Sequence, residues 1–451
     1  MYVESVHIQN LKLLRDVKLD FLRGETPRLW TVIIGENGCG KTSILQSIAL
    51  AAMGVDRANQ LADFTSLPDR RDENAKGVCI DATFRFGPLR ADVRKMPSSN
   101  GADSKDSRLN SSLQLQPGWS VFKGDSHYLP NTSAEVNGGG FDPLRTARGE
   151  NLPHWFVAGY GVERSLPTPL SIPSVSDGIL QRVSSLFSRG RIVGTGFADM
   201  FEKELVLNFS RTLQEATVTS GLLPHIKLLD LRGKGGVKHA GQLIESHRFV
   251  LQAGSSEVKL PAVWLSQGYQ ATVAWIADLI GQQFWDCDSS VKLEDMEGLV
   301  LIDELDLFLH PVWQAQLVQT LKHVFPRMQF VVTTHSPMVL PGCEQDEVFI
   351  LQQNEEGDVV VHPADASPGI MSGSELYRMF FGVEGEFPNK AGRLLQEYAF
   401  LASNPFRSDA DDVQITKLVK QLSDVGVTPD WQPEPRKRAS AKPSRAKKVK
   451  P

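Results

Sequence analysis

The chain has 451 residues, 41% hydrophobic and 22% charged, with a net charge of −5. That composition belongs to a globular protein with a large core and excludes a fibrous or wholly disordered chain. No apolar run reaches the roughly 18 residues that cross a bilayer, residues 1–7 lack the basic-then-apolar layout of a signal peptide, and Cys39, Cys79, Cys287 and Cys343 are too scattered for a disulfide framework or zinc site, so a cytoplasmic protein with reduced thiols is expected.

Residues 2–8 and 17–21 read as two short strands. The apolar run 29–34 then leads into Gly35-Glu36-Asn37-Gly38-Cys39-Gly40-Lys41-Thr42-Ser43, and residues 44–50 read as a helix. Strand, glycine loop and helix is the context that makes this pattern a phosphate cradle. Gly35, Gly38 and Gly40 let backbone N–H groups turn toward phosphate oxygens. The following helix adds the positive end of its dipole. Lys41 is placed to reach the β- and γ-phosphates, and Thr42 to ligate Mg²⁺. Asn37, Cys39 and Ser43 complete the loop, with Cys39 as a small residue at a variable position.

Alternation at Val78, Ile80, Ala82, Phe84 and Phe86 predicts a strand with one buried face. Residues 95–150, rich in Gly, Ser, Asn and Asp, read as an insertion of loops and weak hairpins. Residues 154–160 read as a buried strand that runs into Gly161-Val162-Glu163-Arg164. Phe197, Met200, Phe201, Leu205 and Phe209 recur at helical spacing. Residues 246–264 read as a hairpin turning at Ala253-Gly254-Ser255-Ser256. Leu265-Ser266-Gln267-Gly268-Tyr269-Gln270 opens a helix over residues 271–280. The Ser266 hydroxyl and the N–H groups of that helix start offer a second phosphate-binding device.

The run Gly298–Ile302 has the continuous apolar character of a buried parallel strand. It ends in Asp303-Glu304, and open α/β sheets bind ligands at that end of their strands. Asp303 is therefore placed to hold Mg²⁺ and Glu304 to polarise an attacking water. Residues 329–334 read as the adjacent strand, ending at His335-Ser336-Pro337, with His335 near the γ-phosphate as a sensor. One or two strands follow, then helices to about residue 425. No internal repeat and no long heptad stretch is present. Residues 436–451 hold eight basic residues and no acid, which leaves −13 on residues 1–435. That tail reads as a disordered arm, either solvated or touching nucleic acid through counterion release.

In order, residues 35–42, 265–269, 301–306 and 334–337 resemble the Walker A, signature, Walker B with D-loop, and switch-His motifs of ABC-type ATPases. Within that group the chain is similar to the SMC/RecF-like AAA branch, and to the PtuA-like ATPases of bacterial anti-phage (Septu-type) defence systems. Ile8-Gln9-Asn10-Leu11-Lys12, the block at residues 302–311, Thr334-His335-Ser336-Pro337 and the pairing of Ser266-Gln267-Gly268-Tyr269 with residues 160–164 carry the likeness. The resemblance implies an α/β fold: an ABC-type P-loop NTPase head with a mixed, mainly parallel sheet, antiparallel N-terminal strands and a helical signature lobe. It implies ATP and Mg²⁺, and a head-to-tail homodimer or larger homo-oligomer. Ser266 and Gly268 would contact the γ-phosphate bound by the other subunit, and Asp306 would couple the two sites. Arg164 would meet nucleotide or metal in the Q-loop region. Two departures stand out: there is no clear Q-loop glutamine, and Gln267 replaces the first glycine of the signature. A separately encoded nuclease or other effector is the expected partner, and no membrane is involved. A RecF-type DNA-maintenance ATPase that binds DNA directly is the alternative.

The implied division is an ATPase lobe at 1–89, a loop-rich insertion and Q-loop region at 90–174, a helical lobe at 175–297, an ATPase core at 298–385, C-terminal helices at 386–430 and a basic disordered tail at 431–451.

Overall fold

In the computed structural model the chain opens with an antiparallel pair, β1 (Tyr2–Leu11) and β2 (Leu14–Asp20), in which Val6 faces Leu19 and Ile8 faces Val17. A minimal hairpin, β3 (Leu22–Arg23) and β4 (Thr26–Pro27), leads to β5 (Trp30–Gly35), the glycine loop and α1 (Lys41–Leu61). Three further strands, β6 (Val78–Phe86), β7 (Ser107–Leu115) and β8 (Lys123–Leu129), extend the first pair into an antiparallel sheet of order β2-β1-β6-β7-β8. The structure describes residues 1–69, 71, 77–86, 107–129, 155–164, 166, 178–187, 203–230, 248–287, 289–382, 390–404 and 407–429.

Next come β9 (Val157–Tyr160), α2 (Gly178–Ser184) and α3 (Lys203–Gln214), which runs into a π-helical turn at Glu215–Thr219. A three-stranded antiparallel sheet follows, formed by β10 (Ile226–Asp230), β11 (Arg248–Ala253) and β12 (Ser256–Leu260). The remainder of the first unit alternates helix and strand: α4 (Gln267–Cys287), β13 (Gly298–Ile302), α5 (Pro311–Val324), β14 (Met328–Thr333), β15 (Val348–Gln353), β16 (Val359–Pro363) and α6 (Gly373–Phe381).

The central sheet has the order β16-β15-β5-β14-β13-β9 and is parallel except for β16. Its strands read as continuous apolar runs because both faces are covered. Ile33, Leu299, Leu301, Val331 and Leu351 share one core with Ile44, Leu45 and Ile48 of α1 and with Val3, Val6 and Ile8 of the antiparallel sheet. Val32, Ile34, Val300, Ile302, Phe330 and Val332 share the other core with Ile276 and Ile280 of α4 and Leu317 and Leu321 of α5. The phosphate-loop helix is thus held between the two sheets. β14 lies between β5 and β13, a strand order that decides the geometry of the site.

The chain divides into two units, Met1–Phe381 and Gly382–Pro451. In the second unit α7 (Lys390–Ser403) and α8 (Asp409–Asp424) enclose Tyr398, Ala402, Ile415, Leu418 and Leu422. A capping box starts α8: the Asp411 N–H donates to the Ser408 hydroxyl at 3.3 Å, and the Ser408 N–H donates to the Asp411 carboxylate at 2.6 Å. Among the described residues no helix is long and apolar enough to cross a membrane.

Two expectations need correction. The described parts of residues 95–150 form a hairpin of two full sheet strands, β7 and β8, in place of the loops and weak hairpins expected there. Leu109, Ser111, Leu113 and Leu115 alternate inward, and the Ser111 hydroxyl donates to the Ala51 carbonyl at 2.8 Å, so one polar residue sits in the buried row without breaking it. Residues 175–297 hold the antiparallel sheet β10-β11-β12 as well as helices. Leu205 and Phe209 fall on α3 as expected. Phe197, Met200, Phe201 and the basic tail lie outside the described residues.

Candidate nucleotide-binding site

The buried strand β5 delivers the glycine loop to the carboxyl edge of the central sheet. A Cβ on Gly35 would lie 2.6 Å from the Leu351 carbonyl oxygen, so only glycine lets the loop leave the sheet beside β15. Gly40 has φ +86, and a Cβ there would meet Leu14 Cδ2 at 2.9 Å. It starts α1 without a side-chain cap, and the first turn holds no acid. The N–H groups of that turn are therefore left for an external acceptor. Asn37 and Gly38 are exposed at the loop tip, whereas Cys39 and Ser43 are buried. Burial pushes the Cys39 thiol up, which keeps it protonated and unreactive.

Lys41 is buried, and its Nζ donates to the Gly35 and Glu36 carbonyls, both at 2.8 Å. Burial lowers its pKa below the ordinary value of 10.5, while Cys39, Asp303 and Glu304 act in the opposite direction. The ammonium is thus fixed over the loop. Next to it, Thr42 Oγ1 donates to Asp303 Oδ2 at 2.8 Å. Thr333, at the end of the intervening strand β14, donates its hydroxyl to Asp303 Oδ1 at 2.6 Å and accepts from the Glu304 N–H at 2.8 Å. One hydroxyl orients both carboxylate residues.

Glu304 adopts φ +48, a left-handed conformation that costs a glutamate about 1 kcal/mol or more. Arg164 braces this bend: Nη1 donates to the Asp303 carbonyl and Nη2 to the Glu304 carbonyl, both at 2.6 Å. Its burial lowers the guanidinium pKa to about 10, against the pull of Asp303, Asp306 and Glu304. Arg164 thus grips the backbone of the strand end.

Beyond Glu304 the chain turns back toward α5. Thr334 Oγ1 donates to Asp306 Oδ1 at 2.5 Å and accepts from the Ser336 N–H at 2.9 Å. Gln314 Nε2 donates to the Leu309 carbonyl at 2.9 Å, and Gln314 Oε1 accepts from the Ser336 hydroxyl at 2.6 Å. His335 stands exposed at the end of β14. Ser266 is exposed at the start of α4, where its carbonyl accepts from the Gln270 N–H at 2.9 Å. Gly268 is buried against the turn at Phe308 of its own chain, where a Cβ would lie 2.4 Å from the Phe308 carbonyl oxygen.

The structure therefore brings Thr42, Asp303, Glu304 and Arg164 into one bonded cluster, with Lys41 held beside it on the loop carbonyls. Thr333 belongs to this group, and Gln314 joins Thr334 in a neighbouring set around Asp306 and Ser336; Thr333 and Gln314 were not singled out from the sequence. The donor set fits a phosphate chain with Mg²⁺: uncapped helix-start amides and a lysine for anionic oxygens, and a hydroxyl beside a carboxylate for a hard cation.

A strand, glycine loop and helix facing an Asp-Glu strand end define a P-loop nucleotide-binding protein. The chain belongs to the AAA family described as "AAA domain, putative AbiEii toxin, Type IV TA system", whose model matches residues 30–340. It is 26% identical over 429 residues to the Septu protein PtuA of Bacillus mycoides (strain KBAB4), covering 94% of this chain and 50% of that one. It is 34% identical over 143 residues to the "Retron Ec83 probable ATPase" of Escherichia coli, covering 32% of this chain and 26% of that one. The chain thus spans at most half the length of these two curated relatives. Among solved structures it is similar to an Smc head bound to the C-winged helix domain of ScpA, with 16% identity, a TM-score of 0.47, and coverage of 80% of this chain and 98% of that one.

Proposed function

We propose that the chain is a Mg²⁺-dependent ATPase that closes head to tail on ATP and gates a separately encoded effector, a nuclease, in anti-phage defence. The observation that carries the chemistry is the bonded series Thr42–Asp303–Thr333–Glu304 at the mouth of the glycine loop. The loop N–H groups and Lys41 bind the β- and γ-phosphates. Thr42 and Asp303 would hold Mg²⁺, which would neutralise phosphate charge. Glu304 orients a water and takes its proton as the water oxygen bonds to the γ-phosphorus. The bond from that phosphorus to the bridging oxygen breaks, giving ADP and phosphate. His335 senses the γ-phosphate. Ser266 and Gly268 of a second chain close over it, and Asp306 communicates between the two sites. Similarity to proteins named for the Septu and retron systems supports the defence role.

Glu304→Gln keeps the shape of the site and removes the proton acceptor. Its expected outcome is unchanged ATP binding, a dimer that accumulates with ATP in light scattering, and hydrolysis slowed by about 10²–10⁴-fold. Hydrolysis at the parent rate contradicts the role of Glu304.

A further inference from the structure

Helix α4 buries three polar residues at intervals of four, Asp278, Gln282 and Asp286, which places them on one helix face. Asp278 Oδ2 accepts from the Tyr160 hydroxyl at 3.0 Å. Gln282 Oε1 accepts from Arg182 Nε at 3.2 Å, and Asp286 Oδ2 accepts from Arg182 Nη1 at 3.2 Å in an ion pair whose side chains are each 1% exposed. The Tyr160 ring also lies 5.9 Å from that of Trp275 on the same helix. Burying ionisable groups is expensive, and a helix held only for stability is served as well by apolar side chains. Directional bonds differ in that they fix rotation and register.

The main chain of Tyr160 meets the strand end that carries Asp303 and Glu304. Its carbonyl accepts from the Asp303 N–H at 2.8 Å. Four residues further on, Arg164 grips the Asp303 and Glu304 carbonyls. Residues 160–164 therefore hold the carboxylate strand end by three hydrogen bonds and α4 by one side-chain bond. We infer that Tyr160 is a positioning residue that links the Asp303–Glu304 strand end to α4, so that nucleotide at the glycine loop sets the rotation and register of the helix start that carries Ser266. Burial, reinforced by Asp278, raises the Tyr160 phenol well above its ordinary value. The inference rests on the ATPase reading above.

Tyr160→Phe removes only the hydroxyl. On the full chain three quantities are measured: nucleotide affinity, kcat at saturating ATP, and amide hydrogen exchange over residues 267–272 with and without a slowly hydrolysed ATP analogue. The link requires affinity within about twofold of the parent, kcat lower by about tenfold or more, and loss of the nucleotide-dependent protection seen in the parent. Asp278→Asn, which keeps an acceptor for the phenol, should retain most of kcat and protection, whereas Asp278→Leu should lose both as Tyr160→Phe does. A purely structural role would lower thermal stability in Tyr160→Phe and Asp278→Leu while leaving kcat and the nucleotide response intact, and that result overturns the link. Lys41→Ala separates the two claims. If it fails to weaken nucleotide binding, the ATPase reading falls and the link with it. If it abolishes binding while Tyr160→Phe matches the parent, the link alone falls.

Discussion

Thr333 illustrates how much of the site depends on single hydroxyls. It donates to one carboxylate residue and accepts from the backbone of the next, at a position fully buried between β5 and β13. Thr333→Val is nearly isosteric but leaves Asp303 Oδ1 and the Glu304 N–H without their partner. The expected cost is about 1–3 kcal/mol in denaturant unfolding, with slower ATP hydrolysis, and Thr333→Ser should recover both. Parent-like unfolding and turnover in Thr333→Val would show that the hydroxyl does not organise the site. Lys41, Thr42, Asp303 and Glu304 were legible in the sequence because each sits at a fixed offset within a local motif. Thr333 was not, because its importance arises from β14 lying between β5 and β13, and no local pattern encodes that neighbour order.

At the scale of elements, α4 packs tightly on the turn after Asp306. Gly268 meets Phe308 through backbone, so a methyl group there has no flexible side chain to displace. Gly268→Ala should push the turn away and cost about 1–3 kcal/mol by overpacking, read as a lower unfolding midpoint in denaturant. An unchanged midpoint would mean that the turn and α4 are not locked together. The buried strands β5, β13 and β14 were readable as apolar runs, and the alternation of β6 was equally plain. α4 was read as residues 271–280, although it extends over Gln267–Cys287. Its buried Asp278 and Asp286 meet Tyr160 and Arg182, more than 100 residues earlier, and no local pattern encodes such partners. β7 was hidden in the same way: its Ser and Asn content masked a regular inward row.

Across the whole molecule, the charge is divided between an acidic body and a basic segment at residues 436–451. The −13 carried by residues 1–435 opposes close approach of DNA to that part of the chain, whereas the +8 at residues 436–451 attracts it. Under the proposed function each ATP site is assembled from two chains. The most direct test of that assembly mixes two variants: Lys41→Ala, which disables the glycine loop, and Ser266→Arg, which blocks the helix start offered to the other chain. Each homodimer then lacks two working sites. A mixed head-to-tail dimer regains one, formed by the intact loop of one chain and the intact Ser266 of the other. An equal mixture should therefore recover about a quarter of the parent ATPase rate per chain, as expected for random pairing in a twofold dimer. Hydrolysis that never rises above the sum of the two variants measured separately contradicts the shared site.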